Sequence, residues 1–91
     1  HLIQAYPKAF QLNNDVFDFA FKNGNHTVRI KLPESLNWHC TKQELDKLLS
    51  SVTDYCDAFY EAEIYVVNFN RFSNYCVKQS GQLDNLHLVV L

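Results

Sequence analysis

The sequence is poor in the residues that interrupt or loosen a chain. Among 91 residues there are 2 Gly, 2 Pro and no Met. So few Gly and Pro leave little material for a flexible linker or a disordered tail. A chain of this length is suited to one hydrophobic core, so we expect a single globular domain over residues 1–91, with residues 1–14 as a candidate extended arm.

The sequence also lacks a surplus of positive charge and any long apolar run. It holds 8 Lys and Arg against 10 Asp and Glu, for a formal net charge of −2. This balance argues against the attraction to phosphates on which duplex binders depend. No run approaches the roughly 18 to 20 consecutive apolar residues of a membrane-spanning helix. We therefore expect neither nucleic acid nor a membrane as the main partner.

Cysteine is sparse, and its spacing matches no known metal or redox motif. Cys40, Cys56 and Cys76 form no CxxC or CxxH pair, and the 4 His show no HxH or HxxxH spacing. The sequence therefore predicts no metal and no other cofactor. Free thiols are typical of a reducing compartment, so we expect a cytoplasmic protein; one disulfide with a leftover Cys is the alternative.

The strongest structural signal is the stretch VFDFAFKNGNHTVRIKL, in which two alternating runs flank Asn23-Gly24. Asn-Gly favours a two-residue turn between antiparallel strands. Pairing across that turn predicts Phe21 opposite His26 and Phe19 opposite Val28. The stretch therefore predicts a β-hairpin at the start of the fold.

Alternation divides the hairpin side chains between two faces. One face carries a row of aromatic residues, which we expect to lie in the core under a helix: Phe17, Phe19 and Phe21. The other face carries basic residues, which we expect to face solvent: Lys22, Arg29 and Lys31.

A helical stripe follows the hairpin. Apolar residues recur at spacings of three and four, which predicts an amphipathic helix from about Thr41 to about Ala62. Thr41 and Glu44 have the spacing of a capping box, in which the Thr hydroxyl accepts a hydrogen bond from the Glu amide. Cys40 and Leu45 then occupy the two ends of a hydrophobic staple. On this interpretation Cys40 is a packing residue.

The remaining segments complete the predicted fold. EIYVVNFNRF and LHLVVL are rich in β-branched, aromatic and leucine residues and are predicted strands, whereas SNYCVKQSGQLDN is predicted to be a loop or an irregular edge strand. Leu36 and Trp38 are expected to cover the end of the core. The predicted fold is α+β with order ββαββ: a mostly antiparallel sheet, built from the N-terminal hairpin and two later strands, with one long helix packed on one face.

The predicted helix carries an acidic face. Asp54, Asp57 and Glu61 are spaced three and four residues apart, so a helix would present them on one side. No Lys or Arg lies between positions 48 and 70 to compensate them. Tyr60 is adjacent, and tyrosines beside charge are typical of protein interfaces. We predict a small non-enzymatic protein-binding domain, of inhibitor, immunity or adaptor type, that presents these four residues to a basic surface of another protein; self-association is left open.

Two other functions are weighed against this prediction. A cysteine-dependent enzyme would use Cys40, if the helix N-terminus lowered the pKa of its thiol and His26 or His87 supplied a base. A nucleic-acid-binding protein would use the basic hairpin face, but without exposed aromatic rings for bases to stack on.

Overall fold

The computed structural model describes residues 16–24, 26–53 and 62–91. Within these ranges the chain forms β1 (Phe19–Asn23), β2 (His26–Lys31), α1 (Lys42–Thr53), β3 (Ala62–Asn68), α2 (Asn74–Gln82) and β4 (Leu86–Val90). The predicted α+β class is confirmed, but the order ββαβαβ contains one more helix than predicted. In the described part of the chain, no helix has the length and apolar character that a membrane crossing requires.

The described strands form one mixed sheet in the order β1-β2-β3-β4. β1 and β2 are antiparallel, whereas β2 with β3 and β3 with β4 are parallel. The prediction of a mostly antiparallel sheet is therefore wrong. A helix between two strands returns the chain to the end of the sheet where the first strand began, so the second strand runs in the same direction. Both later connections contain such a helix.

The helix missing from the prediction is α2, in the segment expected to be a loop or an edge strand. Its start is capped by Ser73, whose hydroxyl accepts a hydrogen bond from the Cys76 amide at 3.3 Å. Its end is closed by the Leu83 amide, which donates to the Gln79 carbonyl at 3.1 Å. With 9 residues and one buried side chain, Cys76, the helix is too short to show a periodic stripe.

The hairpin forms, but in a different register. Asn23 pairs with His26 and Phe21 with Val28, so Asn23 belongs to the strand and the turn begins at Gly24. Gly24 has φ +64, in the left-handed region that glycine adopts without steric cost. The predicted pairing of Phe21 with His26 is therefore wrong by two residues. A shift of two leaves every side chain on the same face, so alternation does not distinguish the two registers.

The helices cover the hairpin face that the sequence predicted to be solvent-exposed. Thr27, Arg29 and Lys31 pair in register with Ala62, Ile64 and Val66 of β3. Those β3 side chains pack in one core cluster with residues of both helices. Arg29 is accordingly 0 % exposed and Lys31 8 % exposed. The prediction of a solvated basic face is wrong for these two residues.

The aromatic row lies on two sides. Phe19 and Phe21 pack on the other face of the sheet, in a second cluster with Val28, Ile30 and Val67. Phe17 precedes β1 and packs instead in the helix-covered cluster. The expectation that one helix covers the whole Phe row is therefore wrong. Because β3 contributes to both clusters, it is buried on both faces, as predicted for a central strand.

The start of α1 confirms the predicted cap. The Glu44 amide donates to the Thr41 hydroxyl at 3.3 Å, and Cys40 and Leu45 are both buried in the helix-covered cluster. The predicted extent of the helix is wrong at its far end, because Ala62 belongs to β3. Residues 54–61 lie outside the described ranges.

Candidate functional site

The four residues predicted to bind a partner, Asp54, Asp57, Tyr60 and Glu61, lie outside the described residues. The acidic face that they form in the sequence therefore stays a prediction. α1 ends at Thr53 in the described structure.

An acidic residue nearer the start of α1 has a structural role. The Tyr75 hydroxyl donates to Asp46 Oδ1 at 2.6 Å, and Lys42 Nζ lies 3.4 Å from Asp46 Oδ2. The Tyr75 hydrogen bond, with help from Lys42, lowers the pKa of Asp46. The same hydrogen bond raises the pKa of Tyr75. Asp46 therefore joins α1 to α2 and is engaged within the fold.

Cys40 has the environment of a packing residue. It is 4 % exposed, and the Cys76 thiol donates to its carbonyl oxygen at 3.3 Å. Burial, followed by the nearby Cys76 thiol, raises the pKa of Cys40 to about 12. A nucleophilic cysteine needs the opposite shift, because the thiolate is the reactive form. This environment does not favour the alternative of a cysteine-dependent enzyme.

Sequence reasoning missed a pair of side chains on β3 and β4. His87 Nε2 lies 2.7 Å from Glu63 Oε2, and the His87 ring stacks on Tyr65 with centroids 4.8 Å apart. Parallel pairing sets Tyr65 beside His87, and that pairing could not be read from residues so far apart in the sequence. Within the described ranges no group of three or more His, Cys, Asp or Glu could hold a metal ion. The pair orients an imidazole but lacks the further ligands of a metal centre.

The basic hairpin residues do not form a common surface. Lys31 Nζ lies 3.5 Å from Asp18 Oδ2 and 3.3 Å from Glu34 Oε1. It also lies 5.5 Å from the centre of the Trp38 ring. Lys22 is exposed on the other hairpin strand. The hairpin therefore does not present the basic patch that phosphate contacts would need.

A small charged cleft borders Lys31. Its volume is about 190 Å³, and it is lined by Val16, Lys31, Glu34, Glu44, Lys47 and Leu48. Ligand pockets usually occupy about 300 to 1,000 Å³ and are mostly apolar. The cleft is smaller than that and its lining is mainly charged, so it does not qualify as a small-molecule site.

Exposed apolar side chains gather at one end of the sheet. β2, β3 and β4 run parallel, so their carboxyl ends lie at the same edge of the sheet; β3 and β4 end level with each other, whereas β2 ends two residues earlier, opposite Val66. Leu32, Phe69 and Leu91 each directly follow the last residue of one of these strands, and they are 37 %, 44 % and 68 % exposed. Three large apolar residues therefore lie on neighbouring strand ends.

A fourth apolar residue joins this group from the loop before α1. Leu36 is 72 % exposed, and its carbonyl accepts a hydrogen bond at 3.0 Å from the side chain of Asn70, next to Phe69. Trp38 is buried as predicted, but the expectation that Leu36 also covers the core is wrong. We name Leu32, Leu36, Phe69 and Leu91 the end patch. Large exposed apolar side chains gathered at one end of a fold are a common mark of an interaction surface.

Comparisons of this chain with known protein families, curated proteins and solved structures found no match. Function is therefore inferred from the geometry of the described residues and from the charge pattern of the sequence.

Proposed function

We propose that this chain is a small protein-binding domain that acts by stoichiometric contact with another protein and performs no catalysis of its own. The observation that carries the proposal is the end patch. The two thiols described, Cys40 and Cys76, are free, which supports a reducing compartment, and we include a cytoplasmic location in the proposal.

The end patch has a clear energetic reason to bind. Leu36 and Leu91 are 72 % and 68 % exposed, and Phe69 is 44 % exposed. Fully burying a Leu or Phe side chain contributes about 1.5 to 3 kcal/mol. Covering this patch would therefore contribute to the affinity for a partner that supplies an apolar surface.

The acidic residues are the second part of the proposed surface. Asp54, Asp57 and Glu61 would attract a partner with a basic surface and orient it during encounter. Tyr60 would supply an aromatic contact beside them. This part of the proposal is supported by residue spacing and by the lack of Lys and Arg between positions 48 and 70.

Charge reversal tests the acidic part. We expect the triple substitution of Asp54, Asp57 and Glu61 to Lys to abolish recovery of a partner that the wild-type chain retains from extracts of its source cell. Asp84→Lys reverses an exposed carboxylate elsewhere and should leave recovery unchanged. Equal recovery with the triple variant would remove the acidic face from the proposal.

Polar substitution tests the end patch separately. Leu36→Ser and Phe69→Ser change exposed side chains, so the folded state should persist, as circular dichroism would verify. We expect each variant to weaken binding of the same partner at least about tenfold, equivalent to about 1.4 kcal/mol. If neither these variants nor the charge reversal weakens binding, the protein-binding proposal is wrong for both surfaces.

A further inference from the structure

Among the strands in residues 16–24, 26–53 and 62–91, β4 lies at an edge of the sheet and has a regular backbone pattern. It has β3 on one side in the sheet order. The Ile64 amide donates to the Asn85 carbonyl at 2.8 Å, and the Leu91 amide donates to the Asn68 carbonyl at 2.9 Å. In a parallel pair, successive residues direct their backbone groups alternately toward and away from the neighbour. The odd-numbered residues of β4 therefore face β3, and the even-numbered residues face outward.

The first outward residue is already engaged. The Leu86 carbonyl accepts a hydrogen bond from Ser80 Oγ of α2 at 3.4 Å, and the Leu86 amide donates to the Leu83 carbonyl at 3.3 Å. Leu88 and Val90 follow. Each directs one N–H and one C=O away from β3, and within the described ranges these four groups have no hydrogen-bond partner.

The side chains along this edge are apolar apart from His87, whose ring lies against Glu63 of β3. The strand LHLVV contains none of the Lys, Pro or acidic residues with which proteins usually protect an open edge. Val90 is 54 % exposed, and Val77 of α2 is 57 % exposed. Val77 lies one helical turn before Ser80, whose hydroxyl reaches β4. An apolar strip therefore borders the four open backbone groups.

We infer that β4 pairs antiparallel with β4 of a second copy of this chain, about a two-fold axis through Val89, to form one continuous sheet. The engaged Leu86 sets the register, because among the described β4 residues Leu88 and Val90 are the ones with outward groups left to exchange. Each Leu88 then lies opposite Val90 of the other copy, and four hydrogen bonds join the strands.

The lack of Lys, Arg, Asp and Glu in β4 favours β4 of a second copy as the strand that pairs with this edge. In this register Val89 meets Val89, and His87 meets Leu91, so no two like charges lie opposite each other. A charged partner strand would instead place its ions against the strip formed by Val77, Leu88 and Val90 without compensation. The chain's own β4 contains no Lys, Arg, Asp or Glu, and isologous pairing is the commonest way for a protein to form a dimer.

Cysteine cross-linking tests the register. Val89→Cys would place two thiols in a non-hydrogen-bonded antiparallel pair, where Cα atoms are about 4.5 Å apart, within the range of a disulfide. We expect mild oxidation to convert most of this variant to a covalent dimer on a non-reducing gel. Asn23→Cys, exposed at the opposite edge of the sheet, should form no covalent dimer on the same gel, and neither should the wild-type chain, since neither has a cysteine at the proposed interface.

Substitution of Val90 tests the association itself. Because its N–H points away from β3, Val90→Pro should keep the fold while removing two of the four intermolecular hydrogen bonds. Two net hydrogen bonds at about 1 kcal/mol each correspond to roughly 30-fold weaker dimerisation. Val90→Lys is a second variant that introduces a charge at the same exposed position and should have the same effect.

Sedimentation equilibrium supplies the readout. We expect the wild-type 91-residue chain to dimerise and both Val90 variants to dimerise roughly 30-fold more weakly, with unchanged circular dichroism. A wild-type chain that stays monomeric at about 1 mM, or a Val90→Lys variant that dimerises as well as wild type, would overturn the inference. Neither result would decide whether another protein binds the end patch, because Leu36→Ser and Phe69→Ser test that proposal separately.

Discussion

Lys31→Ala is the substitution that most directly tests which face of the hairpin the helices cover. The Lys31 side chain is 11 % exposed, and truncation removes three buried methylene groups, which contribute about 0.8 kcal/mol each. The Trp38 ring 5.5 Å from the ammonium adds about 0.5 to 1 kcal/mol. Asp18 and Glu34 are 41 % and 69 % exposed, so their loss of a partner adds only about 0.2 to 1 kcal/mol. We expect a total destabilisation of about 3 to 4 kcal/mol.

Urea denaturation followed by circular dichroism measures this free energy of unfolding. Lys22→Ala is the matched control, because Lys22 is an exposed lysine on the partner strand, and it should change stability by less than about 0.5 kcal/mol. Lys31→Met keeps most of the buried stem and should cost about 1 kcal/mol. If Lys31→Ala costs no more than Lys22→Ala, the basic face is solvated after all and the described packing of α1 is wrong.

Two further predictions concern ionisation. With its pKa raised to about 12, Cys40 should react with iodoacetamide at neutral pH about 1,000-fold more slowly than a free thiol until urea unfolds the chain; a rate like that of a free thiol would revive the enzyme alternative. Tyr75→Phe should raise the pKa of Asp46, as an NMR titration of its carboxyl group would show. Because folding lowers the pKa of Asp46, its stabilising contribution is present above its unfolded pKa and is lost as the pH falls toward its folded pKa. In the Tyr75→Phe variant the free energy of unfolding should therefore fall less steeply at acid pH than in the wild-type chain. An unchanged dependence on pH would contradict the assigned hydrogen bond.

The parts of the fold that sequence reasoning predicted correctly depend on near neighbours. The capping of α1 by Thr41 follows from the Glu three residues later, and the buried stripe of Leu45 and Leu48 follows from helical spacing. α2 was not predicted because its sequence carries little local signal. It has one capping residue and one buried side chain, Cys76, which packs against residues distant in the sequence.

The candidate surfaces were less predictable. Leu36 has no feature in the sequence that marks it as exposed, and only its tie to Asn70 sets it beside Phe69. The pairing of His87 with Glu63 likewise requires β3 and β4 to be parallel neighbours. The acidic residues show the opposite situation, because their spacing is evident in the sequence while their arrangement lies outside the described residues.

Local chemistry alone was sufficient to specify a hairpin near Gly24, a helix beginning after Thr41 and two later strands, since each depends on residues within a few positions of one another. Tertiary structure decided the hairpin register, the strand directions and the side of the sheet that the helices cover. Period-two alternation separates two faces but does not say which of them a helix will pack against. That choice rests on contacts between distant residues, and it placed Arg29 and Lys31 inside the fold.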